Sequence, residues 1–166
     1  MAPAHTETST MTCICKQYDT YRSGKHIFET QLASYTCGPI AILNALHREG
    51  LPTGPAVHRQ IMVACNPKAR HADDGFKGTK PADMDRVIRR WWPNAICVSG
   101  AEACAVALRR SPTAILLYQR APRSLHYVFV HRDSHVYHVE NEAETGTTLE
   151  TDMNAYMNKR PVVWKL

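Results

Sequence analysis

The chain has 166 residues, 44% of them hydrophobic, with twenty Lys+Arg against fifteen Asp+Glu for a net charge of +5, six cysteines and nine histidines. That length suits one domain, or one domain with a tail, and a chain of this size hides roughly two thirds of its unfolded surface, so it folds without disulfide staples. Collagen-like, low-complexity and mainly disordered classes are excluded, and the longest apolar run, Ala114–Tyr118, is far short of the ~20 residues of a membrane span.

Residues 1–24 read as a polar tail containing Thr and Ser, ahead of a domain over 25–166. The opening MAPAHTETSTMT has neither the basic nor the apolar region of a secretory signal, so the expectation is a cytoplasmic protein, or one of the host cytosol if the source is viral. In such a reducing compartment the cysteines at 13, 15, 37, 65, 97 and 104 are expected to be free thiols. Cys13-Ile14-Cys15 falls short of the four ligands of structural zinc, and no metal or cofactor is expected.

From Cys37 the string CGPIAILNALHRE places Ile40, Leu43 and Leu46 three apart, with Gly50 as a stop, which predicts a helix with one buried face. Pro39 fits only a first turn, so the helix starts at or just before Cys37. A second helix is expected over Pro55–Ala64, followed by the polar loop NPKARHADDGFKGTK. Pro81 opens a third, with Met84, Val87, Ile88 and Trp91 on its stripe, and Ser99 to Glu102 resembles a capping box before an Ala-rich helix ending at Arg110. The pairs Arg89-Arg90 and Arg109-Arg110 close helices, where cations suit the negative end of the dipole. Arg89-Arg90-Trp91-Trp92 also combines charge with stacking rings, so an RNA-binding module is the non-enzymatic alternative, although a nucleic-acid partner is not the expectation.

After residue 112 the pattern changes to short β-branched and aromatic runs, TAILLYQ, LHYVFVH, HVYHVEN and RPVVWKL. Helices first and antiparallel strands second make the α+β class. His131, His135 and His138 are expected at the surface of a hairpin, Cys65, Cys97 and Cys104 as packed thiols, and His47 and His58 on polar helix sides.

Cys37 stands out among the six cysteines because a helix start offers unpaired N–H groups and a dipole that favour a thiolate, the reactive form. Gln31, six residues upstream, could add a side-chain donor to the Cys37 N–H for a developing oxyanion. A thiol nucleophile also needs a base, for which His126 is the candidate, and the base needs an orienting group. An even hairpin loop centred on Asp133-Ser134 sets Val130 opposite Tyr137 and His126 opposite Asn141; an odd loop sets Glu140 there instead. The even register is preferred because it gathers Val128, Val130, Tyr137 and Val139 on one face.

Gln31, Cys37-Gly38 at a helix start, a distant His126 on a strand and a polar residue one strand later resemble the papain-like cysteine peptidase superfamily. Within it, QLASYTCGPIAILNAL is similar to the compact branch that includes bacteriocin-leader peptidases and phytochelatin-synthase-like transpeptidases. The resemblance implies a papain-like fold, N-terminal helices on a C-terminal antiparallel sheet, with Cys37 as nucleophile, His126 as general acid/base, Asn141 as its orienter and Gln31 as oxyanion donor. That branch more often has Asp, followed by Pro, at the third position, so Glu140 stays an alternative to Asn141. The implied activity is a thiol peptidase acting on a protein or peptide; a transpeptidase or a deubiquitinase would use the same acyl-enzyme. A single, small, basic domain without a signal suggests, beyond the resemblance, a viral, polyprotein-processing or leader-removing role. Oligomeric state is not legible.

Overall fold

The computed structural model describes residues 37–65, 78–122, 124–140, 146–149 and 153–166. Helix α1, Cys37–Arg48, begins on the expected cysteine with Pro39 in its first turn. It ends where Gly50 adopts a positive φ of 74° and the Leu51 N–H reaches back to the Leu46 carbonyl at 3.0 Å, a Schellman-type stop. Instead of burying one stripe, α1 buries every residue from Cys37 to Leu46. The reason is its small residues: Gly38, Ala41 and Ala45 let neighbours close on the sides that Ile40, Leu43 and Leu46 leave.

Helix α2, Pro55–Cys65, turns His58, Ile61, Met62 and Cys65 inward, and α3, Pro81–Trp91, turns in Met84, Val87 and Ile88. Strand β1, Ile96–Ser99, leads to helix α4, Ala101–Arg110, and then to β2, Thr113–Ala121, β3, Ser124–Asp133, β4, Val136–Glu140, β5, Gly146–Leu149, a 3-10 helix over Asn154–Asn158, and β6, Val162–Lys165. The strands form one antiparallel sheet in the order β1-β6-β2-β3-β4-β5. One core unites α1, α2 and α3 with Ile115, Leu117, Tyr127, Phe129 and Trp164. The second unites Cys104, Ala107 and Leu108 of α4 with Leu116, Tyr118, Val128, Val130, Tyr137, Val139 and Val163. The alternation along β2 and β3 separates the two sets, since successive strand side chains leave on opposite faces. The chain is thus α+β, with N-terminal helices packed on a C-terminal antiparallel sheet.

Several expectations are corrected by this packing. The β3–β4 hairpin turns on Ser134 and His135, with Asp133 opposite Val136, Val130 opposite Val139 and Phe129 opposite Glu140. Ser134 takes the positive φ, 60°, that a two-residue hairpin uses at its first central position, and this moves the turn one residue along from Asp133-Ser134. The parity, and so the apolar face of Val128, Val130, Tyr137 and Val139, is as expected; the partners are not. Ser99 belongs to β1 and α4 starts behind Gly100 with no side-chain cap, so the capping box does not form. His58 and His131 are buried where surface positions were expected, while Cys97, expected to be packed, is exposed on the edge strand. Trp92 is more deeply buried than Trp91, because the chain leaves the helix there and its indole N–H donates to Glu49 at 2.8 Å.

Candidate active site

The first turn of α1 meets the sheet at β3, and Cys37 sits on that junction. The residue is only 7% exposed. Burial pushes the thiol up from its ordinary value, against the backbone N–H groups of Tyr127, Gly38 and Cys37 itself and the positive charge of Arg120, all of which favour the thiolate. The same donors could serve an oxyanion forming beside the sulfur.

Gly38 explains why the motif reads Cys-Gly. A Cβ on it would stand 2.7 Å from Thr79 Oγ1 and 3.0 Å from Thr79 Cβ, closer than real contacts allow. Thr79 is held from the other side, since the Tyr127 hydroxyl donates to its carbonyl at 2.9 Å. Helix start, pre-α3 segment and β3 therefore lock together around the thiol. Sequence reasoning did not identify Thr79 or Tyr127; Tyr127 carried a signal only through its place after His126.

His126 lies in β3 opposite Tyr118, 8% exposed, with its imidazole edge-on to the Tyr118 ring at 5.7 Å. Because the N–H of the next residue, Tyr127, reaches the Cys37 sulfur, the helix start and the His126–Tyr127 step are in direct contact. The helix start therefore touches the strand segment bearing His126, 89 positions further along the chain, but by the strand alternation the His126 side chain leaves on the face of Tyr118, Val128 and Val130, whereas Cys37 packs on the opposite face with Leu117 and Tyr127. Gln31 and Asn141 lie outside the described residues. Glu140 is described through its backbone, which pairs with Phe129, so the register expected to set Asn141 or Glu140 opposite His126 is replaced by one displaced along β3.

The remaining candidates fall into structural roles. His131 and His138 stack at 4.7 Å with planes 4° apart, and His131 stacks in turn on Phe129. Among the described residues no group of three His, Cys, Asp or Glu side chains could hold a metal ion. Arg89 is engaged by Asp85 at 2.9 Å and by the Ala95 carbonyl at 2.8 Å, and Trp92 by Glu49, so half of the basic-aromatic string is used internally. Arg90 and Trp91 line a cavity of about 320 Å³ beside α2. No helix among the described residues is long and apolar enough to cross a membrane.

No protein-family model matches the chain, and no curated protein matches it. Among solved structures it is similar to the crystal structure of the peptidase domain of Streptococcus ComA, a bi-functional ABC transporter involved in a quorum-sensing pathway. The TM-score is 0.50 at 9% sequence identity, over 78% of this chain and 90% of the ComA domain. At that identity the likeness is one of fold: the helices and antiparallel sheet described above are arranged as in a peptidase domain.

Proposed function

We propose that the protein is a small papain-like cysteine peptidase in which Cys37 is the nucleophile and His126 the general acid/base. The observation that carries this reading is the Cys37 thiol at a helix start, held by the backbone N–H next to His126, in a fold shared with a peptidase domain. In the reaction the sulfur attacks the carbonyl carbon of a peptide bond, the C–S bond forms, and the charge that develops on oxygen is met by N–H donors at the helix start. The imidazolium of His126 gives its proton to the leaving nitrogen as the C–N bond breaks. The neutral imidazole then takes a proton from water, which hydrolyses the thioester and restores the thiol.

Gln31 is proposed as a second oxyanion donor, and Asn141, with Glu140 as the alternative, as the group that orients the imidazole. The substrate is a protein or peptide, with leader or polyprotein processing as the finer proposal and the cytosol as the reducing compartment that keeps Cys37 a thiol. Co-expression with a longer precursor, followed by mass spectrometry of the new termini, is the test. Cleavage is expected with the native protein and is expected to disappear in Cys37→Ala and in His126→Ala, with both variants folded by circular dichroism. Undiminished cleavage by folded Cys37→Ala would end the reading. If transfer to an added amine replaces hydrolysis, the acyl-enzyme stands and the acceptor is corrected.

A further inference from the structure

The pairing of β2 with β3 is regular from Thr113 opposite His131 to Gln119 opposite Leu125, and then breaks: the next pair is Ala121 with Ser124. Arg120 is the extra residue of this bulge. A bulge releases its residue from the strict two-face alternation and re-aims its side chain, and bulges are common beside functional sites. This one is held on both flanks, because the Gln119 N–H donates to the Lys159 carbonyl at 2.7 Å and the Gln119 side chain donates to the Pro122 carbonyl at 2.7 Å. Arg120 is exposed, two residues along β2 beyond Tyr118, which pairs with His126 beside Tyr127, and its positive charge acts in favour of the Cys37 thiolate. Leu125, across the bulge and one residue before His126, is 51% exposed. This end of the β2–β3 pair therefore presents an exposed cation and an exposed apolar side chain within a few residues of the His126–Tyr127 step.

We propose that Arg120 is a specificity-determining residue of this site, selecting substrates that carry a carboxylate close to the carbonyl attacked by Cys37, with Leu125 covering an adjoining apolar group. The carboxylate belongs to an acidic side chain beside the scissile bond or to a chain terminus one residue beyond it. The inference rests on Cys37 being the reactive centre, and its test separates the two claims.

The probes are iodoacetate and iodoacetamide, which differ in one negative charge. Each alkylates by the same step: the thiolate forms an S–C bond, the C–I bond breaks, and iodide leaves. Rates at Cys37 are read by mass spectrometry of the peptide containing it, at one pH, in the native protein, Arg120→Gln and Arg120→Glu. The neutral reagent reports the thiolate fraction and access, so the ratio of iodoacetate to iodoacetamide rates isolates anion recognition. That ratio is expected to fall about three- to tenfold in Arg120→Gln, further in Arg120→Glu, and to shrink with added salt in the native protein only. An unchanged ratio with both rates lowered equally would make Arg120 a group that only activates the thiolate, and would overturn the proposal. Labelling of Cys37 no faster than of exposed Cys97 counts against the peptidase reading, while the ratio still reports on Arg120.

Discussion

At the scale of single residues, the site is defined by what has no room. Gly38 is required because Thr79 occupies the space of a side chain, and Thr79 cannot retreat while Tyr127 holds its carbonyl. Gly38→Ala is expected to cost about 1–3 kcal/mol in urea denaturation. Gly50→Ala meets open space and loses only the ease of its positive φ, about 1 kcal/mol. The smaller loss in Gly38→Ala would contradict the packing argument. Cys37 is subject to opposed effects. Burial raises its thiol, whereas helix N–H groups and Arg120 favour the anion, and burial is the larger of these. A catalytic His126 must overcome that cost by pairing with the thiolate. With burial the larger effect, iodoacetamide labelling of Cys37 is expected to rise steadily with pH through and beyond about pH 8, as for a raised thiol, and a rate already level near neutral pH in the native protein but not in His126→Ala would instead show that His126 pairs with the thiolate.

At the scale of elements, α1 is the member on which the others are assembled. Its periodicity alone describes a surface helix with one apolar face, but it packs against α2 and against β2 and β3, and its residues from Cys37 to Leu46 are all buried. Ile42, outside the 40-43-46 stripe, is 0% exposed. Ile42→Ala is expected to cost about 2–5 kcal/mol, the price of a closed core position, whereas a surface helix would give less than about 0.5 kcal/mol. The β3–β4 hairpin shows what a pattern can and cannot say. Alternation determines which residues share a face, so Val128, Val130, Tyr137 and Val139 were legible together. It does not determine which of two turns of equal parity is used. Ser134 at φ 60° decides that, and the residue opposite each position changes with it. Strand β1 is hard to read because its residues are mostly exposed at the edge of the described sheet, where among the described residues it pairs with β6 alone.

At the scale of the whole molecule, one sheet separates two cores, and a titratable group is enclosed on the α1 side. His58, turned inward by α2, is 3% exposed, and burial lowers its pKa to about 3. In the unfolded chain a histidine takes its proton near pH ~6.5. Below that pH the unfolded state binds a proton that the native state refuses until about pH 3, so stability is full above the unfolded value and drains as pH falls toward the folded one. Urea denaturation across this window should show a loss approaching about 1.4 kcal/mol per pH unit from this group, and His58→Leu should flatten that dependence. A dependence unchanged by the substitution would mean that His58 is not the group responsible. By itself the sequence determined the α+β order, the start of α1 at Cys37, the apolar face of the hairpin and the choice of Cys37 and His126 as candidates, because helix starts, period-two alternation and residue chemistry are local properties. Only the tertiary structure decided that Tyr127 and Thr79 pack against the helix start, that a bulge releases Arg120 from the alternation of β2, and that His58 and His131 are core residues. Those depend on which faces meet across long stretches of chain, and burial by a distant element leaves no mark on the spacing of the residues it covers.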